Sequence, residues 1–115
     1  MPSFKTAGQI ILQPSDNMGY SFEITVASSA TSNNGFIPFG TTVSSVVVVV
    51  YDKDDTVITT DMVVGTPTVT DNIVSMQLKY PVLNGNGRYK ATMILTLDNG
   101  DTKEADFDRI YTKDK

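Results

Sequence analysis

Apolar and polar residues alternate with period two along much of this chain, and that pattern limits its fold more than any other feature. Tyr20, Phe22, Ile24 and Val26 fall on one side of an extended segment, with Ser21, Glu23 and Thr25 on the other. Val74, Met76 and Leu78 alternate with Ser75, Gln77 and Lys79, and Tyr89, Ala91, Met93, Leu95 and Leu97 with Lys90, Thr92 and Thr96. Successive strand side chains point to opposite sheet faces, so each segment reads as a strand with one buried face. No segment repeats apolar residues at helical spacing between caps, and β-branched residues are abundant throughout. No helix is expected.

Turn signals divide the strands. Pro14 to Gly19 separates a short strand at Ile10-Ile11-Leu12 from the next, and Ser28 to Gly35 is a polar loop. Asp52 to Asp55 and Asp71-Asn72 read as turns, and Asn84-Gly85-Asn86-Gly87 as a tight loop before a strand. About seven strands result. With 115 residues and no linker, the expectation is one all-β domain spanning residues 1–115, an immunoglobulin-like antiparallel β-sandwich. Phe22, Ile24, Val26, Met76, Leu78, Met93, Leu95 and Phe107 are the expected core.

The last hairpin allows a register to be derived. A two-residue Asn99-Gly100 turn would set Leu95 against Glu104 and Met93 against Asp106, placing carboxylates on the core face. A three-residue loop with Gly100 left-handed pairs Met93 with Ala105, Ala91 with Phe107 and Lys90 with Asp108. It also sets Tyr89 beside Arg109, whose guanidinium would lie on the ring. Tyr89, near the start of the penultimate strand, suits the sandwich habit of bonding a tyrosine hydroxyl back to a loop.

The reactive inventory is sparse. With no His and no Cys, triads, thiol chemistry and His-ligated metals are excluded. Asp52, Asp54 and Asp55 are loosely spaced like calcium ligands, but the glycine and distal glutamate of an EF-hand are missing. Glu104, Asp106 and Asp108 share a strand face; a glycosidase pair is one reading, and a charged guard against sheet-edge pairing is the better one. There is no Trp for a sugar platform, and Tyr51, Tyr80 and Tyr111 are scattered. The expectation is a non-enzymatic protein with no catalytic, cofactor or metal residues. A formal charge of -4 argues against nucleic acid. The longest apolar run, Val46 to Tyr51, is too short to cross a bilayer as a helix, and the opening residues show no signal peptide. That run has two apolar faces. One meets the core; the other is either valine selected for strand propensity, or a surface covered by the N-terminal segment or a partner chain.

From Gly35 to Tyr111 the order of elements resembles small Ig-like accessory proteins of tailed bacteriophages. The stretches that carry the resemblance are Phe36-Ile37-Pro38, Val46 to Asp52, Met62 to Gly65 and Val69 to Leu78. Gly87 to Thr92, Leu97 to Asp101 and Glu104-Ala105-Asp106 complete it. The resemblance implies a structural protein of the virion, such as a head decoration, head fibre or tail accessory domain. It would act through contacts with other virion proteins and copies of itself, as a homo-oligomer in the particle. Two surfaces are candidates for attachment: the outer face of Val46 to Val50, and residues 1–14, which would extend or exchange into a neighbour's sheet; the second is favoured slightly, because Gly8-Gln9-Ile10-Ile11-Leu12 is apolar and short. The alternative is a cell-surface adhesion or carbohydrate-binding Ig-like module.

Overall fold

The computed structural model describes residues 4–5, 9–32 and 34–113. Its strands are β1 (Phe4–Lys5), β2 (Ile10–Leu12), β3 (Asn17–Ile24), β4 (Val43–Tyr51), β5 (Val63–Thr70), β6 (Ile73–Lys79), β7 (Gly87–Leu97) and β8 (Thr102–Thr112). They form two four-stranded sheets, ordered β1-β3-β6-β5 and β2-β8-β7-β4. The first strand of a seven-strand sandwich is thus split. Its leading part pairs antiparallel with β3, and its trailing part pairs parallel with β8. With that split strand, the two sheets have the immunoglobulin strand order, and the expected all-β sandwich is correct.

The alternating segments supply the core. Phe22 and Ile24 from β3, Val74, Met76 and Leu78 from β6, and Tyr89 to Leu97 at every second position of β7 are buried. Phe107 of β8 meets Phe22 of the opposite sheet, with ring centroids 5.4 Å apart and planes at 57°, so this tilted pair joins the two layers. Of the eight residues expected in the core, Val26 differs. β3 ends at Ile24, and Val26 lies half-buried beyond it, bridged to Ile37.

The hairpin between β7 and β8 has the three-residue loop. Met93 pairs with Ala105 and Ala91 with Phe107. Gly100 has φ of 92°, and its N–H donates to the Leu97 carbonyl at 3.0 Å. Near the far end the expected register is wrong by one residue. Tyr89 pairs with Ile110, not with Arg109, because Asp108 and Arg109 together oppose Lys90 in a bulge. The bulge turns Ile110 into the core, and it is Arg88 that lies over a ring, that of Tyr111 at 6.0 Å. Asp71 and Asn72, both at positive φ, make the two-residue turn between β5 and β6.

One short helix, α1 (Thr59–Met62), was not foreseen. It carries Met62 into the core between β4 and β5, and at four residues it is too short to show a helical period. No helix among the described residues is long and apolar enough to cross a membrane.

Candidate functional site

The carboxylates singled out in the sequence are dispersed, and most have structural partners. Asp52 Oδ1 accepts the Asp54 and Thr56 backbone N–H groups, each at 2.9 Å, which closes the turn after β4. Asp54 pairs with its exposed neighbour Lys53. On the open face of β8, Asp106 accepts the Thr92 hydroxyl at 2.8 Å, and Asp108 lies 3.5 Å from Arg88. Glu104, Asp106 and Asp108 are exposed along a flat sheet face, whereas a glycosidase needs carboxylates flanking a bond within a cleft. Among the described residues no three His, Cys, Asp or Glu side chains are grouped to hold a metal ion.

Sequence reading missed Asp61, the one buried acid among the described residues. Its carboxylate accepts the backbone N–H groups of Leu83 and Asn84 and the Asn84 side-chain amide, at 2.8–3.3 Å. It thereby fastens the loop between β6 and β7 to α1. In the same loop the Gly85 carbonyl accepts the Tyr89 hydroxyl at 2.7 Å and the Thr112 hydroxyl at 2.8 Å, the back-bond expected of Tyr89. Burial pushes the Tyr89 phenol above its ordinary value; the Thr112 hydroxyl opposes the rise, and the charges of Asp52 and Asp61 add to it. These groups hold a loop together, and Asn84 and Tyr89 also line a groove beside it.

Among the described residues, openings lie at both ends of the sandwich. Between the loop after β3 and the β7–β8 turn is a cleft of about 540 Å³, walled by Phe36, Ile37, Pro38 and Leu97, with Lys103 at its mouth. The Lys103 ammonium is 5.0 Å from the centre of the Phe36 ring. At the other end a smaller, polar groove runs between the Asp52–Asp55 turn and Arg88. Tyr51, Tyr80 and Tyr111 are all half-buried, and Tyr80 is further held by a 2.6 Å hydrogen bond to Asn86. They do not form an exposed aromatic platform.

The remaining feature is β4. Among the described residues it ends its sheet, with one edge unpaired to any strand. Val48 and Val50 are buried, while on the outer face Val47 is 58% exposed and Val49 half-buried. Val47 stands opposite Ile94, and together with Val49 they form an apolar stripe beside the acidic column of β8. The described part of the N-terminal segment does not cover this stripe, since β1 lies in the other sheet and β2 at the opposite end of this one. Within the chain that segment completes its own sandwich: Ile10 and Leu12 are core residues, and Phe4–Lys5 pairs with β3. Residues 1–3 and 6–8 of the expected attachment segment lie outside the described residues.

No model of a known protein family matches this chain, and no curated protein is similar enough to inform it.

Proposed function

We propose that this protein is a non-enzymatic structural component of a tailed-bacteriophage virion, working by protein–protein contact through β4. The observation that carries the contact reading is the nine-residue strand Val43–Tyr51. It lies at a sheet end without a charge, proline or glycine, and has exposed Val47 on its outer face. Sheet ends are ordinarily blunted by such residues, because unpaired N–H and C=O groups invite another chain. The virion setting rests on the resemblance of residues 35–111 to Ig-like phage accessory proteins. Specific attachment needs about 1,000 Å² of contact, and many copies on a repeating surface allow each contact to be modest. Attachment through residues 1–14 would first require Ile10 and Leu12 to leave the core, which favours β4.

Quantitative mass spectrometry of purified particles tests this reading. The expected result is the protein at many copies per particle; absence from the particles refutes it. The cleft beside Phe36 favours a second reading, an adhesion or carbohydrate-binding module, because concave apolar openings of this size hold small ligands. Binding of a glycan that Lys103→Ala or Phe36→Ala abolishes would establish it.

A further inference from the structure

We infer that β4 pairs with β4 of a second copy of this chain, antiparallel about a two-fold axis through Val47, so that two four-stranded sheets become one of eight. This deepens the contact reading by naming the partner, and it rests on the geometry of the strand.

Among the described residues, three of the four strands at sheet ends are blunted. β1 has two residues and β2 three. β5 contains Pro67, Gly65 at φ of 71°, and a break in register between Val64 and Thr68. β4 has no such device in its middle. Its pairable window is nonetheless limited at both ends. The register with β7 shifts between Val43 and Ser45, leaving Ser44 as an extra residue whose hydroxyl bonds the Thr96 carbonyl. At the other end the Val50 carbonyl accepts the Ile58 N–H at 2.8 Å, and the Val50 N–H donates to the Thr59 hydroxyl at 3.0 Å. The window outside these bonds is therefore residues 45–49, and Val47 is its centre.

The bonds at Val50 also settle which backbone groups face outward. Strand residues alternate, so Val48 and Val46 direct their N–H and C=O the same way as Val50, while Val47 and Val49 bond to β7. A two-fold axis through Val47 sets Val46 of each copy opposite Val48 of the other. Both pairs are then of the hydrogen-bonded kind, and Val47 meets its counterpart in the close, non-hydrogen-bonded kind. Exposed Val47 would be covered by its own symmetry mate, and Ser45 would lie opposite Val49.

Charge is compatible with a second copy as occupant. A two-fold contact brings each residue near its own type, and β4 carries no charge to repel itself. The acidic column on β8 lies two strands inward, so the two columns would be five strand spacings apart. At about 4.8 Å each this is roughly 24 Å, well beyond the ~8 Å screening length at physiological salt.

The test uses the whole chain in sedimentation velocity at loadings up to roughly 1 mM, where even a weak pairing is populated. Wild type should shift with concentration from 12.5 kDa toward twice that mass. Val47→Lys and Val47→Glu should each weaken pairing at least tenfold, with unchanged circular dichroism and melting, and mixing the two should restore it. The chain has no cysteine, and close antiparallel pairs have a Cα separation suited to a disulfide. Val47→Cys should therefore give a covalent dimer under mild oxidation, at least ten times faster than Val82→Cys in the exposed loop before β7. A wild type that stays monomeric at 1 mM, or a Val47→Lys variant that pairs like wild type, overturns the inference. A protein that pairs but is absent from particles refutes the virion reading alone. One found in particles that does not pair refutes the two-fold contact alone.

Discussion

Removing the Phe107 ring should test the assembly of the two sheets more sharply than any other single substitution. Phe107 is buried, and its ring faces Phe22 of the opposite sheet. Its cross-strand partner is Ala91, which has no atoms to spare for the space left behind. Phe107→Ala should therefore leave most of its cavity unfilled, at a cost of about 3–5 kcal/mol. For a domain of this size that is a large share of a total stability of roughly 6–15 kcal/mol. It corresponds to a fall of roughly 12–20 °C in Tm. Urea unfolding followed by circular dichroism measures the loss directly, as a lower midpoint at unchanged slope. A double-mutant cycle with Phe22→Ala should show a coupling of about 0.5–1.5 kcal/mol for the ring pair. A loss below about 1 kcal/mol for Phe107→Ala would mean that Phe107 does not bridge the sheets, and the face assignment of β8 would fall with it.

Four further outcomes follow from the loop contacts and the buried phenols. Tyr89→Phe should cost only about 1 kcal/mol in thermal or urea melts, because Thr112 still bonds the Gly85 carbonyl. The Tyr20 and Tyr89 phenols are both raised above 10.0, chiefly by burial. The folded state thus holds these protons more tightly, so their contribution is complete below about pH 10 and is lost as pH rises through the folded values; Tyr89→Phe should flatten that alkaline loss. Asp61→Ala strands the Leu83 and Asn84 donors and should cost about 3 kcal/mol, with faster amide exchange at Leu83 and Asn84; unchanged exchange there would refute its fastening role. A chelator should leave Tm within about 1 °C, since Asp52 Oδ1 already accepts two backbone donors and charged turns of this kind hold without metal; a large drop would establish a structural cation.

The parts of the fold legible in the sequence were those with a local physical signature. Alternation identified the buried faces of β3, β6 and β7, and the conflict between Leu95 and Glu104 was enough to select the turn at Gly100. The features that escaped depend on contacts distant in sequence. The parallel pairing of Ile10 with Ile110 is set by packing across the whole chain. The bulge at Asp108 and Arg109 forms because Ile110 must reach the core. Asp61 sits in Thr59–Met62, a stretch too short to show a helical period, and only the folded loop brings Asn84 to it. The valine run was recognised as two-faced. That its outer face remains uncovered at Val47 became decidable only once β2 was placed at the opposite end of the sheet.

Residue-resolved amide exchange along β4, in the dilute chain and in the assembled state, tests the claim that this edge is the working contact most directly. In the dilute monomer the Val46 and Val48 amides should exchange readily, because they face the open edge, while Val47 and Val49, bonded to β7, should be protected. On self-association or incorporation into a particle, Val46 and Val48 should become protected to the level of their neighbours. If both amides exchange equally fast before and after assembly, β4 is not the contact, and the account built on its uncharged edge is wrong.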